Sequence, residues 1–282
     1  MSMVLAVVFA VLTALSNALA TVLQRKAART TPEADALHAR LMVRLMRQPV
    51  WFAGIAAVIC AAVCQALALR WGPLALVQPV FVIELPLALL IGSLVLRRRL
   101  PPRGWGAVVA VAGGAGLALA AAAPSGGRAP QSAAHWAAAL TCTGLAVAGC
   151  VAAAAKCPAG KARAALFGTA AAIAYAVTAA LMKTAVIRFG EQGVVAFFTA
   201  WQTYAFAVTG VCALFLLSNA MAAGPLVASQ PALTLSDALV SLSLGIVLYA
   251  EDVRFGWWLL PESVGVLLVL AGTLVLAGVQ QE

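Results

Sequence analysis

Nine apolar runs, each close to twenty residues long, divide the chain at about 3–23, 51–70, 74–95, 104–123, 134–154, 164–187, 193–217, 225–249 and 262–279. Roughly twenty helical residues cross the hydrocarbon core of a bilayer, so each run is long enough to span one. Composition agrees: 64% of the 282 residues are apolar and 10% charged, against about 45–50% and 25% in soluble domains. The connections are spread along the chain, which leaves no stretch for a soluble domain. An attached nucleotide-driven motor is therefore excluded, and no GxxxxGK[ST] loop occurs. The expected fold is an all-α integral membrane protein of about nine transmembrane helices. The first run resembles a signal peptide at Ala18-Leu19-Ala20, but it lacks a basic leading segment and its positive charges follow it. It is expected to be retained as a helix.

The formal charge of +9 invites a nucleic-acid partner, but its placement argues against one. Six Lys and Arg fall at 24–49 (Arg25, Lys26, Arg29, Arg40, Arg44, Arg47), four at 97–103 and three at 156–163, all between apolar runs. With the N-terminus outside, these 13 of 18 lie on the inner side, while the outer side holds Arg70, Arg128, Arg188 and Arg254. The positive-inside rule then places a multi-pass protein in the cell membrane with its C-terminus in the cytoplasm. Within 24–49, Arg40, Arg44 and Arg47 share a narrow helical face among Leu and Met, which reads as a basic amphipathic helix on the membrane surface. Lys183 is the one base inside a crossing, near enough to its outer end to snorkel.

No cofactor or confident metal site is expected. The six cysteines form no CxxC, no His or carboxylate adjoins them, and five lie in apolar runs as soft packing residues. His38 and His135 fall in or beside loops. A GxSxG elbow and an HExxH motif are also missing, so the chain is not expected to be an enzyme.

An internal repeat organises the runs. Gly72-Pro73-Leu74-Ala75-Leu76-Val77-Gln78-Pro79 recurs 152 positions later as Gly224-Pro225-Leu226-Val227-Ala228-Ser229-Gln230-Pro231. Trp51 of the second crossing has a counterpart in Trp201 of the seventh, and Gly106 with Gly113 in the fourth match Gly265 with Gly272 in the ninth. Residues 1–123 thus form one four-helix repeat, 124–162 a linking helix with its loops, and 163–282 a second repeat. Four crossings plus one start the second copy from the opposite side, so the repeats are inverted, as in many secondary transporters. The glycines suit close helix packing and permit a homodimer.

Glu84 lies at the centre of the third crossing and Asp237 at the centre of the eighth. An acid at the bilayer midplane costs roughly 2.5–3.5 kcal/mol on insertion scales, so two at matching sites suggest function. A cation favours the ionised acid and a proton displaces it, and that competition is the physical basis of exchange. The alternative is a pair of neutral acids hydrogen-bonded to neighbouring helices. Gln78 and Gln230 lie ~9–11 Å from the midplane on opposite sides and either ligate substrate or tie helices together. Pro79 and Pro231 interrupt their helices and leave carbonyls in need of a cavity or protein cover. Asn17, Tyr175, Gln202 and Tyr204 are candidate cavity-lining residues, while Ser16, Thr178 and Thr203 read as packing residues. The match is imperfect, because Gln230 to Asp237 is seven residues and Gln78 to Glu84 six, a rotation of about 100°.

Two inverted halves, the GPLxLVQP run, Ala14-Leu15-Ser16-Asn17 and Val22-Leu23-Gln24-Arg25-Lys26-Ala27-Ala28 together resemble the drug/metabolite transporter (EamA-like) superfamily, nearest its NIPA-type magnesium-transporter branch. Ala176-Val177-Thr178-Ala179-Ala180-Leu181-Met182-Lys183 echoes the first-helix motif more loosely. Members of the superfamily usually have ten crossings, and here the basic loop stands where a second helix would be. The resemblance implies alternating-access transport without ATP. Proton-coupled export of a small cationic or amphipathic metabolite is the first expectation. The alternatives are a magnesium or divalent-cation transporter, with the ion held by Glu84 and Asp237, and a non-transport membrane protein such as a lipid scramblase or helper subunit. The expected partners are the bilayer, a small molecule or cation, and protons.

Overall fold

The computed structural model describes residues 2–29, 49–95, 101–126, 132–224, 226–254 and 256–279. In chain order the helices are α1 (Ser2–Arg29), α2 (Pro49–Trp71), α3 (Leu74–Val80), a 3-10 turn (Phe81–Ile83), α4 (Glu84–Val95), α5 (Pro102–Ala122), α6 (Ala133–Lys156), α7 (Lys161–Thr199), α8 (Trp201–Ala223), α9 (Leu226–Tyr249) and α10 (Leu259–Val279). Among the described residues nine segments are long and apolar enough to cross a membrane, with α3, the 3-10 turn and α4 making one crossing. The chain is an all-α, multi-pass membrane protein. The basic segment with Arg40, Arg44 and Arg47 lies outside the described residues.

Several boundaries differ from the expected ones. Arg25, Lys26 and Arg29 extend α1 rather than opening a loop, and Lys161 and Arg163 sit in the first turn of α7. The seventh crossing does not begin at 193. Gly193 adopts φ +82°, which glycine alone tolerates cheaply, and it kinks α7, which then continues to Thr199. The junction falls at Ala200, whose extended backbone starts α8.

Two membrane faces are defined by contacts among helix ends. On the first face, Gly72 at the end of α2 sits against Ala6 of α1. There the end of α5 meets the end of α9 through a two-residue antiparallel pair, Ser125 with Asp252 and Gly126 with Glu251. On the second face, Gly160 donates its N–H to Ala223 O at 2.8 Å. The most buried helix is α7, with Ala170, Ala171, Ala172, Ala176, Ala179 and Ala180 all shielded. Small side chains on every side of it let α6, α8 and α9 approach closely.

The glycine pairs divide unequally. A Cβ on Gly265 would meet Gly114 O at 2.6 Å, and one on Gly272 would meet Val111 Cγ2 at 2.6 Å. These α10 glycines are consumed inside the protein, against α5. Gly265 meets Gly114, one residue beyond the expected Gly113, and Gly272 meets Val111 and Ala107, while Gly106 and Gly113 have no neighbour within 4 Å among the described residues. Matching seven-residue spacings therefore did not imply matching faces.

Candidate functional site

The third crossing is built to break just before Glu84. Pro79 lacks an N–H, and the Phe81 N–H turns back to the carbonyls of Gln78 and Pro79. The Glu84 N–H then bonds to Phe81 O, three residues back, which closes the 3-10 turn. In α9, Pro231 lies inside an uninterrupted helix. The difference repairs the spacing mismatch. Three 3-10 residues rise 2.0 Å each and turn 120°, so Gln78 to Glu84 spans about 10.5 Å, the same rise as seven α-helical residues, and the rotational gap falls from about 100° to about 40°.

Four helices converge at mid-depth, with Glu84 contributed by α4. Asn17 on α1 donates its Nδ2 to Glu84 Oε2 at 3.2 Å. From the buried α7, the Tyr175 phenol lies within electrostatic reach of both Glu84 and Asp237. On α9, Asp237 Oδ1 is buried with no hydrogen-bond partner among the described residues, as is Ser241 Oγ one turn away. Next to Asp237, Ser236 Oγ reaches Thr169 Oγ1 on α7 at 3.4 Å. The structure thus arranges both predicted acids, Asn17 and Tyr175 around the middle of α7. Gln78 is buried on the first-face side, its Nε2 without a hydrogen-bond partner among the described residues, and Gln230 is half-buried toward the second face.

Two candidates lie elsewhere. Gln202 is the second residue of α8, about 15 Å above the level of the acids by helical rise, and lines a separate cavity with Trp136 and Arg188. Tyr204 is 60% exposed on the bundle's outside and donates to Phe198 O at 2.9 Å. Helix length alone puts both residues too near the first face to join the acids. Ser16, Thr178 and Thr203 make the local bonds of packing residues, to Cys60 Sγ, to Ala174 O and Thr209 Oγ1, and to Phe197 O.

Lys183 does not snorkel. It is 2% exposed and its Nζ lies 2.5 Å from Glu251 Oε1. The same carboxylate accepts the Leu74 N–H at 2.6 Å and the Ala75 N–H at 2.9 Å, capping the N-terminus of α3. Such an end carries unsatisfied donors and a partial positive charge, which a carboxylate complements. Lys183 also stands 4.5 Å from the Tyr249 ring centroid, and the Tyr249 hydroxyl donates to Ala180 O. One acid thereby ties α3, α7 and the segment after α9 into a knot at the first face. Nothing in the sequence links positions 74, 183 and 251, and an unexplained base in an apolar run was the one available signal.

With Lys183 engaged, neither mid-depth acid has a basic partner among the described residues. No cluster of three or more His, Cys, Asp or Glu able to hold a metal occurs among those residues either. A divalent ion at this site would need neutral oxygens and retained water beside the two acids.

The chain is similar to an uncharacterized protein of Corynebacterium glutamicum, 28% identical over 281 residues, which covers 98% of this chain and 96% of that protein. No family model matches the sequence, and no solved structure matches it.

Proposed function

We propose that the protein is a secondary active transporter of the drug/metabolite transporter type, which works by alternating access and exchanges protons for a small cationic or amphipathic metabolite. The observation that carries this is the pair of mid-depth carboxylates, Glu84 and Asp237, both within electrostatic reach of Tyr175 on α7 and with no basic partner among the described residues. Uncompensated acids at that depth are costly, and a mobile cation or proton is the counter-charge they lack. In this reading the first four crossings and the last four are inverted repeats joined by α6. The repeated GPLxxxQP run at opposite faces and the equal rise from glutamine to acid support that arrangement. The Lys183–Glu251–α3 knot then seals the first face. Charge placement argues for the cell membrane, with the N-terminus outside.

Reconstitution into proteoliposomes tests the proposal. An imposed pH gradient should drive flux of a cationic substrate chosen by thermal-shift screening. Glu84→Gln and Asp237→Asn should each lower that coupled flux at least tenfold while expression and ligand-free melting stay near wild type. Coupled flux persisting in both variants would overturn it, as would Mg²⁺ flux indifferent to pH.

A further inference from the structure

A cavity of about 390 Å³ lies at the first face between α6, α7 and α8, and neither acid lines it. Arg188, Gln202, Trp136 and Trp201 line it, together with Ala133, the first residue of α6. Two helix N-termini therefore end at the cavity, since Trp201 and Gln202 open α8, but the α6 end is already capped by Ser132, whose Oγ accepts the His135 N–H at 3.3 Å. No side chain caps α8 at Ala200, so its first amide N–H groups keep their positive end turned outward. The Arg188 guanidinium adds a full charge, and among the described residues no carboxylate lines the cavity or pairs with it. Gln202 is 2% exposed, yet its Oε1 has no hydrogen-bond partner among the described residues. Buried amides are rarely left so. Trp136 and Trp201 meet edge to face, with centroids 5.5 Å apart, and form an apolar wall at the depth where indoles favour the membrane interface.

Two electropositive groups, Arg188 and the uncapped α8 end, with an unsatisfied acceptor beside them, define the chemistry of a ligand that would fit. We infer that this cavity binds a phosphate-class oxyanion that also carries a hydroxyl. Arg188 and the α8 end take the charged oxygens, while Gln202 Oε1 accepts from the hydroxyl. The volume exceeds what a lone carboxylate fills and suits a phosphate with a short substituent. Two sources present that chemistry: hydrogen phosphate from solution and the phosphoglycerol headgroup of a lipid in the adjoining leaflet. The site is independent of the transport reading, because none of its residues touches Glu84 or Asp237.

The experiment uses the full chain, delipidated in neutral detergent. Inorganic phosphate is titrated in one arm, phosphatidylglycerol in mixed micelles in a second, and phosphatidylcholine in a third, with binding followed by the thermal midpoint and by native mass spectrometry. Phosphate or phosphatidylglycerol should raise the midpoint saturably, and phosphatidylcholine should not. Saturation by phosphate identifies a soluble ligand, and saturation by phosphatidylglycerol alone a lipid headgroup. Arg188→Gln should weaken binding at least tenfold, and Gln202→Leu several-fold. Arg188→Lys keeps the charge but loses the fork, so it should bind several-fold more weakly while folding normally. Arg254→Gln, another base on the same face, should bind like wild type. The inference is overturned if neither anion shifts the midpoint, if phosphatidylcholine acts as well as phosphatidylglycerol, or if both Arg188 variants bind with wild-type affinity.

Discussion

Burying Lys183 with Glu251 removes two charges from water, a cost that close geometry and extra hydrogen bonds must offset. Here the carboxylate gains two backbone donors from α3 besides the ammonium, and the ammonium gains the face of Tyr249. Removing one partner strands the other, so Lys183→Met should destabilise the protein by about 3–5 kcal/mol. The double variant Lys183→Met with Glu251→Gln should recover part of that loss, because glutamine still accepts from α3 without an unpaired charge. Unfolding midpoints in detergent, with Glu251→Gln alone as the third variant, check both, and a double-variant loss equal to the sum of the two single losses would mean that the pair is not coupled. Residues of this kind differ in how visible they are along the chain. Glu84 and Asp237 stand out because an acid inside an apolar run is improbable wherever its neighbours lie. Glu251 was invisible, since it sits outside the runs and 68 positions from its base.

Between elements, helix rotation decides which residues matter. Gly265 and Gly113 look equivalent as members of seven-residue glycine pairs, but the former abuts Gly114 O and the latter meets nothing within 4 Å. Gly265→Leu should therefore force α10 away from α5 and cost about 1–3 kcal/mol or more from overpacking. Gly113→Leu should stay within about 0.5 kcal/mol of wild type, as open surface positions do. Thermal melts of the two variants side by side measure the contrast, and equal effects would contradict the packing described. The 3-10 turn at Phe81–Ile83 is a second case. The prolines marked a disturbance in the third crossing, but whether it overwinds or merely bends the helix depends on the packing around α3 rather than on local sequence.

At the scale of the whole molecule, the knot at the first face and the proposed transport cycle make one linked prediction. If parting Glu251 from α3 opens that face, Gln78→Cys should react with a membrane-impermeant thiol reagent several-fold faster in a Glu251→Gln background, measured on a chain otherwise free of accessible cysteine. Unchanged labelling would mean that the seal lies elsewhere. Terminal tags test orientation in the same preparations: a tag before Met1 should be accessible from outside and one after Glu282 only after permeabilisation. The number of crossings, the excess of base on alternate connections and the depth of Glu84 and Asp237 were all legible in the chain alone. Each follows from the free energy of moving about twenty consecutive residues out of water, a quantity that accumulates locally and needs no knowledge of the partners. The ionic partner of Lys183, the phase of Glu84 relative to Gln78, the glycine that faces α10 and the separate cavity of Gln202 were settled only by tertiary structure. Those depend on how each helix is rotated and how closely it approaches its neighbours, and in a chain this uniformly apolar the periodicity that would reveal the rotation is nearly erased.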